Sequence, residues 1–384
     1  MNKTPQQKPQ QKLDELRQSI DSTDEELIRL LAKREALTAE VGDVKKALRQ
    51  PLYVPERENK MIQARKQKAR DLGVSENFVE DILRRVIRNS YQTQTGQASQ
   101  TSNAPQRPVM IVGGRGALGA KFAEFFQQTG YDIIIIDKGD AWPSADTLKS
   151  LQLVLISVPI NNTEAVINAL PELSSDCVLA DVTSTKSGPL NAMMSVHKGP
   201  VVGLHPMFGP TIKTFAKQLI VVTPGRDPDK YEWLIEQLSN WGAHLYQTDA
   251  DSHDEAMGWV QAFRHLSTFV YGLHMARENV DIDNLLNVSS PIYRMELMMV
   301  GRLFAQNPEL YADIMLSHGE RTESISRYLD LFSELLETLK KGNKQELIAL
   351  YAEAQSYFGD FSQQFMKESE ALVQLADDQR FKDR

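Results

Sequence analysis

The stretch Pro108-Val-Met-Ile-Val-Gly-Gly-Arg-Gly-Ala-Leu-Gly119, continued to Asp137 as AKFAEFFQQTGYDIIIID, decides the fold. Pro108 to Val112 reads as a strand. It runs into a glycine turn in which Gly114, Gly116 and Gly119 satisfy G-x-G-x-x-G. A helical stretch from Ala120 to Thr129 follows, closed by Gly130, and a second strand, Ile133 to Ile136, ends at Asp137. The glycine pattern alone is weak, because glycine-rich turns are common. The whole context of strand, turn, helix, strand and acid is specific. Asp137 lies 23 residues after Gly114, close to the ~20 expected of a dinucleotide fold. The glycines let backbone N–H groups approach a pyrophosphate at a helix N-terminus. Asp137 suits a ribose 2′-hydroxyl and repels a 2′-phosphate, which favours NAD over NADP; Lys138 beside it works against that preference.

Outward from this unit the alternation continues. Leu153–Val158, Val178–Val182, Val201–Leu204 and Leu219–Val222 read as strands with helical stretches between several of them, which indicates a mostly parallel sheet. Ligands of such sheets sit beyond the carboxyl ends of the strands. The segments to inspect are therefore 157–160, 181–186 and 203–209. The chain has seven histidines, none at metal-ligand spacing, so no metal site is expected. His205 stands apart because it follows a strand within Gly-Leu-His-Pro-Met-Phe-Gly-Pro, where two glycines and two prolines fix the turn. It is the acid/base candidate.

The regions flanking the sheet are helical. Leu13, Leu16, Ile20, Thr23, Leu27, Leu30, Arg34, Leu37, Val41, Val44 and Leu48 recur at three- and four-residue steps. An unbroken helix from Lys12 to Leu48 would be roughly 55 Å long, so its seam is expected to meet a second chain. A capping box of Ser22 and Glu25 offers the alternative of a break. A second helix should run from Pro55 to near Gly73, and a third from Glu76, capped by Ser75, to about Gln94. The expected organisation is a disordered tail (1–11), a helical domain (12–94), a polar linker (95–107), a Rossmann-type domain (108–247) and a helical region of six or so helices (248–384). In the last, Leu297, Met298, Val300, Leu303, Phe304, Leu310 and Ile314 form an apolar surface expected to need a partner.

Over 384 residues, 43 basic and 51 acidic side chains leave a net charge of −8. That disfavours nucleic-acid binding while allowing local basic clusters. Mean hydropathy is −0.37 and no long apolar run occurs, so no membrane span is expected. The single cysteine, Cys177, permits no intrachain disulfide and reads as buried and inert. With a polar N-terminus unlike a signal peptide, a cytoplasmic protein is expected.

Arg17, Arg34 and Lys45 fall on or beside the apolar seam, and Arg57 follows on the second helix. Taken singly, such residues fix register or pair with acids. Four cations converging in one bundle would instead suit a small dianion. The segments LDELRQSIDSTDEELIRLLAKREALTAEVGDVK and PLYVPERE resemble the all-helical chorismate mutases. That resemblance implies that Arg17, Arg34 and Arg57 bind the two carboxylates of chorismate. It puts Lys45 and Gln94 on the ether oxygen, and Glu58 and Ser90 on the substrate hydroxyl and a carboxylate. Val54 stands where some members carry an aspartate. The rearrangement is pericyclic and needs no nucleophile, only a held conformer and stabilised charge on the breaking C–O bond.

DVTSTKSGPL, GLHPMFGP, RHLSTFVYGLH and SSPIYRMELMMVGRLFAQNPELYADI resemble the prephenate dehydrogenases. The resemblance implies that His205 polarises the ring 4-hydroxyl of prephenate with Ser184 assisting. His265 would lie in the substrate pocket, and Arg302 would bind a carboxylate. Spacing alone reads Arg302 as a surface ion pair with Glu296 or Glu309. Thr211 stands where some relatives carry a gating acid. The resemblance also implies a homodimer through the C-terminal helices and inhibition by tyrosine. The order of the two resemblances is that of the bifunctional chorismate mutase–prephenate dehydrogenases. Two other readings remain: a dehydrogenase whose N-terminal helices only dimerise, and a Rossmann-fold binding protein without turnover.

Overall fold

The computed structural model describes residues 9–48, 50–93, 104–316 and 322–379, which form two compact units divided between His253 and Asp254. The first unit opens with α1 (Pro9–Leu48), α2 (Pro55–Asp71) and α3 (Glu76–Thr93). Helix α1 begins three residues before the expected start at Lys12, so Pro9–Gln11 of the expected tail are helical. Proline is at home in a first turn, where its missing N–H has no partner to lose. No break occurs at residues 21–23. The Ser19 and Thr23 hydroxyls donate to the carbonyls of Glu15 and Ser19, four residues back, and so stay within the helical ladder instead of capping a new start. Gln94 lies outside the described residues, as does most of the expected linker. Of its last residues, Ala104 packs against the sheet core and Arg107 pairs with Asp176 at 2.9 Å.

Seven strands follow: β1 (Val109–Val112), β2 (Ile133–Ile136), β3 (Leu153–Ile156), β4 (Val178–Asp181), β5 (Val201–Pro206), β6 (Leu219–Pro224) and β7 (His244–Gln247). They form one sheet in the order β2-β1-β3-β4-β5-β6-β7, parallel except where β5 meets β6. The antiparallel pair and β7 are departures from expectation. β7 is a short edge strand with only Leu245 partly covered, so it lacks the apolar run that marks the inner strands.

The inner strands are buried on both faces, as parallel strands between helical layers must be. Val109, Ile111, Leu153 and Leu155 face a layer that includes α4 (Ala117–Gln128), through Phe122, Phe125 and Phe126. Met110, Val112, Val154 and Ile156 face the other side, with α5 (Ala145–Ser150), α6 (Ile160–Asn168) and α7 (Ser187–Val196). Helix α8 (Pro228–Asn240) joins the first layer through Trp233, Leu234 and Leu238. The chain leaves β1 toward β2 on one side and returns to β3 on the other. The crevice beyond β1 and β3 is therefore the topological switch point where such sheets take ligands.

The helical part is joined to the sheet. Leu52, between α1 and α2, is 4% exposed within the sheet's aromatic core, and its N–H donates to the Asn240 carbonyl at 3.2 Å. Ala216 in turn completes a small cluster with Ile62, Ile87 and Tyr91. The seam of α1 has little cover: Leu27, Leu30 and Leu37 are each at least half exposed.

Helix α9 (Ala250–Met257) carries the division between the two compact units. The second unit continues through a π-helical segment (Gly258–Phe263) into α10 (Arg264–Arg277), α11 (Ile282–Val288), α12 (Pro291–Phe304), α13 (Pro308–Leu316), α14 (Thr322–Lys341), α15 (Lys344–Phe358) and α16 (Asp360–Gln379). Helix α12 packs on α10 and α16. Of its apolar positions and those of α13, Leu297, Val300, Leu303 and Ile314 are buried, while Met298, Phe304 and Leu310 are exposed. No helix among the described residues is long and apolar enough to cross a membrane.

Candidate functional site

The glycine turn is built for a close approach. Gly113 has φ +82°, and a Cβ there would lie 2.2 Å from the Ser157 carbonyl oxygen at the end of β3. A Cβ on Gly119 would lie 2.3 Å from the Gly113 carbonyl oxygen, so this glycine lets α4 begin directly against the turn. Gly114 and Gly116 sit between them, with Gly116 at the N-cap of α4. The motif spacing missed Gly113, although the doubled glycine was its signal. Asp137 is tied to this turn: its Oδ2 accepts from the Arg115 N–H at 3.0 Å and its Oδ1 from the Lys138 N–H at 2.9 Å. The Arg115 guanidinium is engaged by Asp140 at 2.6 Å.

Two and three strands away along the sheet stand Ser184, after β4, and His205, on β5. β4 and β5 are parallel, with Asp181 opposite Gly203, so Ser184 and His205 lie toward the same carboxyl edge of the sheet. His205 is 3% exposed. Its Nδ1 lies 2.8 Å from Nε2 of His253 on α9, and the two rings meet edge to face. If Nδ1 of His205 carries the proton and His253 accepts it, Nε2 of His205 becomes the basic nitrogen. His253 is a residue the sequence did not single out, being 48 positions away with no spacing to connect the pair.

Beneath them lies a fully buried ion pair, Lys186 Nζ to Asp181 Oδ2 at 2.5 Å. The same Asp181 oxygen accepts from the Thr183 N–H, and Lys186 also donates to the Leu204 carbonyl at 2.8 Å. The pair thus pins the loop carrying Ser184 to the residue before His205. Removing one partner strands a buried charge, so Lys186→Met is expected to lower the stability of the sheet by about 3–5 kcal/mol. Urea unfolding followed by tryptophan fluorescence measures it, and a loss below about 1 kcal/mol would deny the pair this role.

In the second unit, His265 on α10 packs edge to face on Tyr311, with ring centroids 4.8 Å apart. Burial first, and then the neighbouring Arg264, push its pKa down to about 4, so it is a neutral imidazole at pH 7. Arg302, on α12, is exposed, and neither Glu296 nor Glu309 pairs with it. The ion pair read from spacing is therefore not made. Thr211 is exposed.

The helical part of the first unit holds a cavity of about 340 Å³ between α1, α2 and α3, lined by Arg34, Lys45, Arg57, Glu58 and Ser90 among others. Arg34 donates to the Ser90 hydroxyl at 2.6 Å. Lys45 donates to the carbonyls of Pro51 and Leu52 at 3.0 and 2.7 Å, and burial, aided by Arg57, lowers its pKa. The Glu58 carboxylate is 6% exposed; it accepts from the Tyr91 hydroxyl at 2.9 Å and from Lys217. Burial and this carboxylate together raise the Tyr91 pKa, which keeps its proton in place. Arg17 is not part of this group. It lies 17 residues before Arg34 on the same helix, roughly 25 Å away along its axis, exposed and beside Asp14. Of the four cations singled out in the sequence, Arg34, Lys45 and Arg57 line this cavity.

Comparison with known proteins matches three segments of the chain. Residues 16–95 match the type II chorismate mutases, residues 123–247 the nucleotide-binding domain of prephenate dehydrogenase, and residues 249–353 its dimerisation domain. The fold also resembles that of Aquifex aeolicus prephenate dehydrogenase, solved with hydroxyphenyl propionate and NAD+ (TM-score 0.51, 18% identity, 67% of this chain and 98% of that one). The class defined is a mutase fused to a dehydrogenase. The T-protein of Enterobacter agglomerans is 48% identical over 96% of this chain and 99% of its own. That of Haemophilus influenzae is 46% identical over 95% and 97%. The chain belongs to the T-protein family. It is a bifunctional enzyme of tyrosine biosynthesis, rearranging chorismate to prephenate and oxidatively decarboxylating prephenate.

Proposed function

We propose that the two reactions divide along the chain, with the mutase in residues 12–94 and the dehydrogenase in 108–247 together with 248–384. The observation that carries the mutase assignment is the convergence of Arg34, Lys45, Arg57, Glu58 and Ser90 on one cavity. Arg34 and Arg57 there receive the carboxylates, Lys45 with Gln94 the ether oxygen, and Glu58 and Ser90 the hydroxyl and a carboxylate. Arg17 is too far along α1 to serve the same cavity. With the α1 seam largely bare, it serves the cavity of a second copy, which makes the active form a homodimer.

For the dehydrogenase, NAD is held by the turn of Gly114, Gly116 and Gly119, with Asp137 on its ribose. The cradle fits such a group, since side chains at Gly113 or Gly119 would fill it. Bound NAD supplies the hydride acceptor. His205 takes the proton of the ring hydroxyl at Nε2 while Ser184 donates to the same oxygen as C4 gives up its hydride; loss of CO2 then leaves an aromatic ring, whose oxygen recovers the proton from His205. His265, neutral, and Arg302, both on helices of the second unit, are the further residues assigned to substrate binding. Tyrosine shares the 4-hydroxyphenyl ring and carboxylate of the product, which makes it the expected inhibitor. We place the enzyme in the cytoplasm, where a lone buried cysteine whose thiol pKa burial raises to about 12 stays reduced.

The cofactor preference gives a direct test. Prephenate oxidation followed by reduced-nicotinamide absorbance should show kcat/KM at least about tenfold lower with NADP than with NAD, because a carboxylate faces the 2′-phosphate. Asp137→Ala should narrow the gap. Equal use of both cofactors by the unaltered enzyme would refute the role of Asp137, and tyrosine in the same assay tests inhibition.

A further inference from the structure

Glu58 lies in the mutase cavity, yet one of its partners comes from the other catalytic domain. Lys217, just before β6, extends its ammonium to Glu58 Oε1, while the Tyr91 hydroxyl donates to Oε2 at 2.9 Å. Both carboxylate oxygens are thus engaged, one by each domain. The ammonium also lies 5.4 Å from the centre of the Tyr53 ring and 5.8 Å from that of Tyr91, so it is held by two aromatic faces as well as by the carboxylate. Arg84 is farther off, at 3.9 Å, and its other nitrogens are committed to Glu80.

The backbone at Lys217 is unusual. Its φ of +64° is a left-handed conformation that favours glycine, fixed here by its N–H donating to the carbonyl of Gly242. A lysine tolerates that conformation at some cost in energy, and what the side chain gains in return is the contact with Glu58. The main chain around it is firm: Ala216 packs on Ile62, Ile87 and Tyr91, and Gly242 approaches Tyr53. The ammonium is therefore presented from a fixed point.

We propose that Lys217, a residue of the nucleotide-binding domain, is a positioning residue of the chorismate mutase site: it holds the Glu58 carboxylate in the orientation that receives the substrate hydroxyl. The mutase site is then assembled by both domains, and the link runs through one charged pair across 159 positions of sequence. The inference rests on the reading of Glu58 as the acceptor of that hydroxyl. A carboxylate so buried, once freed of its cation, would turn toward Arg84 or Arg57 and leave the hydroxyl without a fixed partner.

The test uses the full-length enzyme with Lys217→Met, Lys217→Gly, Glu58→Gln and the Lys217→Met/Glu58→Gln double variant, each assayed for chorismate consumption and for prephenate oxidation. Lys217→Gly also relaxes the backbone, so loss of function in both single variants cannot be put down to misfolding. Each Lys217 variant should lower mutase kcat/KM about 10- to 100-fold, the worth of a charge-assisted hydrogen bond, with the dehydrogenase unchanged. In the Glu58→Gln background, Lys217→Met should cost nothing further. Additive losses would mean that Lys217 acts only by packing, and would overturn the proposal. So would unimpaired mutase activity in Lys217→Gly beside an impaired Glu58→Gln. Unimpaired activity in Glu58→Gln would overturn the reading of Glu58, and the role of Lys217 with it.

Discussion

Replacing Lys45 by alanine should lower chorismate turnover about 10²–10³-fold, the usual loss when a donor to a developing oxyanion is removed, and leave prephenate oxidation unchanged. The rearrangement forms and breaks its bonds in one step, so the protein contributes geometry and charge alone. Lys45 is suited to the charge. Two of its three ammonium protons are taken by the carbonyls of Pro51 and Leu52, which fixes the nitrogen in place. The third is left for the ether oxygen. Burial and the nearby Arg57 weaken its hold on its proton relative to an exposed lysine, which strengthens it as a hydrogen-bond donor. The loss should fall on kcat more than on KM, because the oxygen gains charge only as the bond breaks. Mutase activity within about threefold of the parent would refute the assignment. The dehydrogenase serves as the control, since the same carbonyls lead into Leu52, which is packed in the sheet core.

His205→Asn should lower prephenate oxidation about 10²–10⁴-fold and spare the mutase. Asparagine keeps a polar group of similar size but cannot accept the proton. Because Nδ1 of His205 is 2.8 Å from His253, replacing His253 by alanine should also slow oxidation, by less, through loss of the preferred tautomer. An unchanged rate in His205→Asn would remove it from the chemistry.

Much of this was legible in the sequence, and for identifiable reasons. The β1–α4–β2 unit is local: a strand, four glycines, a phenylalanine-rich helix and an acid at fixed spacing, each following from backbone constraints a few residues long. The three N-terminal helices were legible from apolar periodicity, to within three residues at the start of α1. What escaped depends on groups brought together from far apart. His253 meets His205 because α9 folds back to the carboxyl edge of the sheet. Lys217 meets Glu58 because a left-handed residue turns a side chain toward another domain. Neither leaves a mark in local spacing. β7 escaped because an edge strand has no need of an apolar run, and the antiparallel β5–β6 pair because strand direction depends on the path between strands. Arg17 shows the converse: a helical repeat puts residues on one face but does not bring them to one place.

Leu52 has a practical consequence. The polar linker invites a cut that would yield a free-standing mutase and a free-standing dehydrogenase. Such a cut would bare a leucine, a tyrosine pair and a carboxylate on one fragment, and would leave a matching notch and a stranded ammonium on the other. The gene can be divided at that linker, but the folded object has no seam there, and anyone wishing to study one activity without the other should silence a residue and not remove a domain.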